Sequence, residues 1–142
     1  MTLYLDSSVL VAALIEDEPS HEACLRLLRR PSAAAWSHAL AETFATLTGG
    51  RLGLRLSPGT AATLVEESLV PRLKVIELGS AEIRAAIRGA EAGGVRGGAI
   101  YDFLHMAAAR KCGANTLYTL NARHFQPLTR PGDPGVEAPA AT

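Results

Sequence analysis

The sequence has few of the features that mark a secreted, membrane-borne or charge-driven protein. Its two cysteines, Cys24 and Cys112, stand alone in 142 residues, with no CxxC and no histidine pair at zinc-ligand spacing. That leaves no basis for a disulfide scaffold or a structural zinc, and both thiols read as reduced. There is no charge excess: fourteen basic side chains balance fourteen acidic ones. No overall field therefore draws the chain onto nucleic acid indiscriminately. The longest early apolar run, Val9 to Ile15, follows an aspartate and has no basic residue before it. It is too short to span a bilayer and lacks the layout of a signal peptide, so a cytoplasmic protein is expected. Aromatic residues are only 5% of the chain, and Trp36 falls in a predicted strand. No stacking platform for single-stranded nucleic acid is visible in such a sequence.

What is present is the profile of one globular domain. Nearly half the residues are apolar and a fifth are charged, enough to bury a single core at this length. Short β-prone runs alternate with helical segments. Leu3–Leu5 reads as a strand, and Asp6-Ser7-Ser8 as caps for a helix through Ile15 that stops near Pro19. A second helix runs from Ser20 to Pro31. Ala34–Trp36 is a strand, followed by a helix from Ser37 to Thr48 ended by Gly49-Gly50. A fourth helix spans Pro58 to Val70, and Lys74–Leu78 forms a third strand. A fifth helix opens at Ser80 and ends in the glycine-rich loop 93–98. That loop lacks the pattern of a nucleotide phosphate loop and reads as a flexible approach to the next helix, Ile100–Lys111. Thr116–Thr119 is the fourth strand. Residues 1–130 thus form the domain, and 131–142 a Pro/Gly/Ala-rich tail with one short edge strand followed by disorder. Alternating strands and helices imply a parallel sheet of four or five strands with helices on both faces.

Such sheets bind ligands beyond the carboxyl ends of their strands, and acidic residues gather there. Asp6 follows strand one, Asn121 follows strand four, and Glu42 and Asp102 open helices. Alone, Asp6 and Asp102 read as helix-capping carboxylates. Glu42 differs, because Ala39, Leu40, Ala41, Phe44, Ala45 and Leu47 make its helix apolar almost all round. A buried, unpaired carboxylate is costly, and three together repel one another unless a hard cation such as Mg²⁺ or Mn²⁺ joins them. That donor set suits phosphodiester hydrolysis.

Four segments carry a resemblance to a known family. Leu3-Tyr4-Leu5-Asp6-Ser7-Ser8-Val9-Leu10, Ser37-His38-Ala39-Leu40-Ala41-Glu42, Gly97 to Ala109 around Asp102, and Thr119-Leu120-Asn121-Ala122-Arg123-His124-Phe125 occur in order across Leu3 to Phe125. Together they resemble the motifs of PIN-domain nucleases, in particular VapC-type toxins of toxin–antitoxin pairs. The resemblance implies a PIN-like α/β/α fold and Mg²⁺- or Mn²⁺-dependent cleavage of RNA. It also implies metal binding by Asp6 and Asp102, and a role for Glu42 in binding the ion or orienting water. Asn121 departs from the acid that many relatives carry, and can offer only a side-chain carbonyl.

Thr119 reads as structural or as orienting a carboxylate, and His105 as a hydrogen-bonded residue at the core edge. Arg51, Arg55, Arg96, Arg123 and His124 are candidate RNA contacts. The likeness also implies an antitoxin that covers the site, seated on apolar residues such as Val11, Leu14, Ile15, Leu25, Leu28, Phe44, Leu47, Leu52 and Leu54. A homodimer is expected from what remains of that surface. Two other readings compete. A phosphatase of the haloacid-dehalogenase kind wants a second Asp where this chain has Ser8. A non-catalytic PIN-like binding module is disfavoured by the intact trio Asp6, Glu42 and Asp102.

Overall fold

The structure, a computed structural model, describes residues 1–140. It contains strands β1 (Leu3–Leu5), β2 (Ala33–Trp36), β3 (Lys74–Ile76), β4 (Thr116–Tyr118) and β5 (Gly135–Glu137). The helices are α1 (Ser7–Leu14), α2 (His21–Leu28), α3 (Ser37–Gly49), α4 (Pro58–Leu64), α5 (Ser80–Arg88), α6 (Ala99–Lys111) and α7 (Ala122–Phe125). All strand pairs are parallel and the order is β3-β2-β1-β4-β5. The chain therefore builds outward from β1 to β3, then returns to the other side of β1.

Strand alternation divides the core. Tyr4, Ala34, Trp36, Ile76 and Leu117 point to one face, where Leu104, Met106, Ala108 and Ala109 of α6 and Phe125 of α7 cover them. Leu5, Ala33 and Ala35 point to the other, against Val9, Leu10, Ala12 and Ala13 of α1 and Cys24 and Leu28 of α2. The period-two pleat thus gives each face of the sheet its own helical layer. Alanine at 33–35 in the second strand lets helices approach closely on both sides.

Several boundaries differ from expectation. The fourth helix leaves α geometry after Leu64, continuing as a π-helical turn over Val65–Leu69 and a 3₁₀ turn over Val70–Arg72. Pro71 has no N–H to carry the ladder further. The glycine loop before α6 is anchored rather than free. Val95 is buried against Phe103 and Leu128, and its N–H donates to the Ala90 carbonyl at 2.8 Å. Within 131–142, β5 extends the sheet beside β4, and the Arg110 guanidinium grips both oxygens of Asp133 just before it. The disorder expected at the chain's end falls at residues 141–142, outside the described residues. Most of the apolar residues expected to form a docking surface are core instead. Val11, Leu28 and Leu47 are buried, and Leu14, Ile15, Leu25 and Leu54 pack against them or their neighbours. Phe44 and Leu52 stay exposed. Among the described residues no helix is long and apolar enough to cross a membrane.

Leu117 is fully buried in β4, between β1 and β5. Leu117→Ala should lower unfolding free energy by about 2–5 kcal/mol, the loss of transfer energy plus a cavity. Urea denaturation measures this, and a loss below about 1 kcal/mol would show that the sheet centre can collapse around the gap.

Candidate active site

The turn in strand order lies between β1 and β4, and this is where a doubly wound sheet opens a crevice at its carboxyl edge. Asp6 leaves β1 there and Thr119 to Asn121 leave β4. Asp6 caps α1, accepting the Val9 N–H at 3.2 Å and the Ser8 hydroxyl at 2.6 Å. Its own N–H donates to the Tyr118 carbonyl. Ser8 joins the two sides, because its oxygen also accepts the Leu120 N–H at 3.0 Å. Thr119 is buried and accepts the Asn121 N–H at 2.9 Å. Sequence reasoning took Ser8 only as a helix cap, since its bond to residue 120 exists only once β4 lies beside β1.

Asp6 is 4% exposed. Burial pushes its carboxyl above the ordinary range, against the pull of His105, the Ser8 and Thr119 hydroxyls and the Val9 amide. Asp102, half-buried in the first turn of α6, is also raised. Burial is the largest cause, and the nearby charges of Asp6 and Glu42 add to it, while His105 and His124 oppose it. The three acids therefore share one electrostatic environment.

Glu42 departs from expectation. It lies in the second turn of α3, and that helix is not apolar all round in the sense of burial, because Ala41, Phe44 and Ala45 are exposed. The Glu42 side chain keeps 26% of its surface and accepts a hydrogen bond from His105 Nε2 at 2.7 Å. His105 is 2% exposed, and its Nδ1 lies 2.7 Å from the Tyr4 hydroxyl. Tyr4 oxygen in turn accepts the Trp36 N–H at 3.2 Å. The Trp36 N–H donates to the Tyr4 oxygen, and the two ring nitrogens of His105 bridge the Tyr4 hydroxyl to Glu42 Oε1. One oxygen of Glu42 is thereby fixed from inside the core while the other remains free. His105 matches its expected role as a hydrogen-bonded histidine. Tyr4 was missed, although a tyrosine in a buried strand signals a hydroxyl that needs a partner.

Among the described residues no three of His, Cys, Asp and Glu are placed to hold one metal ion together. The donor set still fits a hard cation. Asp6 and Asp102 supply two oxygen donors whose charges burial disfavours, and Mg²⁺ is commonly held by one or two carboxylates with retained waters. Asn121 is exposed and borders a cleft of about 320 Å³ with Ser7, Ser8, Glu18, Thr46 and Arg51. Arg51 also borders the adjoining cleft of Ser7, Glu42, Ala45 and Thr46. His124 is exposed and acts on Asp102 through its charge. Arg96 and Arg123 are exposed and border neither cleft. Arg55 instead folds under Gly50, whose φ of +79° ends α3 and whose missing Cβ leaves room for the guanidinium.

A parallel α/β/α sandwich with carboxylates at its switch-point crevice has the layout of a metal-assisted phosphodiesterase. The PIN-domain family model matches residues 3–128. Ribonuclease VapC27 of Mycobacterium tuberculosis is 33% identical over 121 residues, 85% of both chains. The chain belongs to the PIN-domain family. Its fold is also that of M. tuberculosis VapC20, a sarcin-ricin loop cleaving toxin (TM-score 0.68, 21% identity, 92% of this chain and 100% of that one). DNA-bound VapBC from Salmonella typhimurium gives a TM-score of 0.67 at 20% identity, covering 99% of each chain.

Two outcomes follow from this geometry. Because burial keeps Asp6 protonated to higher pH in the folded chain than in the unfolded one, the folded state binds more protons between the two pKa values. Stability without metal then falls as pH rises through that window. Asp6→Asn should therefore gain on the native protein as pH rises from acid to neutral, measured by thermal melting in EDTA; a gap independent of pH would contradict this. Tyr4→Phe leaves the Trp36 N–H and His105 Nδ1 without partners and should cost about 1–3 kcal/mol. Imidazole ¹⁵N spectra should show both His105 ring nitrogens hydrogen-bonded in the native protein and only the Nδ1 bond lost in Tyr4→Phe; an unchanged Nδ1 signal would contradict the contact.

Proposed function

We propose that this protein is a divalent-metal-dependent endoribonuclease, the toxin of a toxin–antitoxin pair acting in the cytoplasm. The observation that carries the reading is the closeness of the acids in charge: Asp6 is buried at the end of β1, and Asp6 and Glu42 both raise the Asp102 carboxyl. The ribonuclease relative and the toxin–antitoxin complexes of the same fold support it.

Asp6 and Asp102 hold the ion, Mg²⁺ or Mn²⁺, with Asn121 offering a neutral carbonyl at the edge. A bound divalent cation supplies a more acidic water and neutralises phosphate oxygens during in-line displacement. Glu42, fixed through Oε1 by His105, uses its free oxygen to accept a proton from the attacking water and to aim it at phosphorus. Arg51, which shares a cleft with Glu42, and His124, whose charge acts on Asp102, receive flanking phosphates. Arg96 and Arg123 contribute at most from farther along the RNA. The products carry 5′-phosphate and 3′-hydroxyl ends.

An antitoxin restrains the enzyme by covering the crevice, with a basic side chain directed at the carboxylates. Phe44 and Leu52, exposed on either side of Arg51 in sequence, offer the apolar contact. A second copy of the chain completes a homodimer through surface outside the crevice. The phosphatase alternative loses ground because the Ser8 hydroxyl is committed to Asp6 and to Leu120. A non-catalytic module would have no use for a buried carboxylate facing two others.

The test is RNA cleavage with sequencing of the product ends, together with calorimetric titration of Mn²⁺. Asp102→Asn should reduce cleavage by more than the roughly 10- to 100-fold that loss of an outer partner costs, and should remove most Mn²⁺ binding. Growth arrest on induction should be relieved by the adjacent antitoxin frame. Undiminished cleavage by Asp102→Asn would remove the assigned site, and a protein that is harmless alone and cleaves no RNA would be a binding module.

A further inference from the structure

Three aromatic rings, two of them neighbours at the β2–α3 junction and the third from α6, form a graded series that adjoins the histidine bonded to Glu42. Trp36 ends β2, is 5% exposed, and meets His105 edge-on with centroids 5.5 Å apart at 88°. His38 lies over Trp36 at 4.7 Å and 34°. Tyr101 continues outward, parallel to His38 within 4° at 5.5 Å. That is the offset stack which aromatic pairs favour. Tyr101 is 47% exposed. This arrangement could not be read along the chain, because Tyr101 of α6 reaches His38 only after α3 and α6 have packed on the sheet.

The series is placed for use. Tyr101 immediately precedes Asp102, and His38 stands one helical turn before Glu42 on α3, where residues four apart share a face. Arg51 borders the Glu42 cleft through Ser7, Ala45 and Thr46, none of which belongs to the ring series. Tyr101 likewise stands one helical turn before His105, whose ring holds Glu42. A half-exposed tyrosine held by a parallel neighbour is already ordered, so a flat ligand stacking on it does not have to immobilise it. Its ring bears no charge and suits the π-face of a nucleobase. Bases inside a duplex already stack on one another, so only an unpaired nucleotide can reach it.

We infer that Tyr101, backed by His38 and Trp36, is a base-stacking subsite for the nucleotide next to the scissile phosphate of single-stranded RNA. This rests on the ribonuclease reading and adds to it the residue that would hold the flanking base. The stack contributes affinity with little base preference, since every base offers a π-face. Tyr101 acts on substrate binding and leaves the attack on phosphorus to the carboxylates.

The probe is a short single-stranded RNA spanning the mapped cleavage position, with 2-aminopurine substituted at each position in turn. Binding is measured in the Asp6→Asn background, and cleavage kinetics in the native background. One position flanking the cleavage point should show quenched 2-aminopurine fluorescence, retained in Tyr101→Phe and lost in Tyr101→Ala. Tyr101→Ala should weaken RNA binding by about 5- to 150-fold, raising KM more than it lowers kcat. An abasic residue at the quenched position should abolish the difference between native and variant. Circular dichroism and melting of Tyr101→Ala establish that it folds. If Tyr101→Ala binds and cleaves as the native protein does, the inference falls while the ribonuclease reading stands. If neither protein binds or cleaves RNA, both fall. If Tyr101→Ala keeps its RNA affinity but loses its coexpressed antitoxin, the ring belongs to the protein partner and the inference is overturned.

Discussion

The Asp6 carboxylate is enclosed at the one point where the sheet reverses its strand order, and the surrounding structure is arranged to hold it there. Burial disfavours its charge, while Ser8, Thr119 and the Val9 amide favour it. Asp6 and Glu42 in turn raise the carboxyl of Asp102 on α6. A site balanced in this way is held by the fold at some cost to its stability, and a hard cation removes the repulsion that the polypeptide cannot. The central strands, buried on both faces, supply the rigidity that keeps the acids from separating.

The second organising feature is the line of hydrogen bonds from the Trp36 amide through Tyr4 and His105 to Glu42. It couples packing to chemistry. Tyr4 and His105 are buried, and their contact with Glu42 Oε1 leaves the other oxygen of Glu42 facing outward. His105 also adjoins Trp36, the base of the aromatic series leading to Tyr101. One buried histidine thus contacts both Glu42 and the base of the ring series.

Much of the fold was legible along the chain. Strand and helix periods, the caps at Asp6 and Ser57, and glycine stops are local signals set by side-chain direction and backbone sterics. The parallel sheet followed from the alternation of elements, and the acids could be assigned to its carboxyl edge because each lies just past a strand or early in the following helix. Where the reading erred, the cause was non-local. The loop at 93–98 looked flexible because glycine is permissive, yet Val95 is anchored by Phe103 and Leu128. The apolar residues of α1 to α3 looked like surplus surface, yet the turn from Leu54 to Leu64 covers them.

The sequence by itself determined the class of fold and singled out three acids as candidates, because period, capping and motif order are properties of neighbours along the chain. Tertiary structure alone decided what those acids touch. That Ser8 bonds both Asp6 and Leu120, that His105 holds Glu42, and that His38 and Tyr101 form a stack all require elements distant in sequence to meet. Hydrogen bonds and ring contacts act over a few ångströms, and only the closed sheet brings those groups within that range.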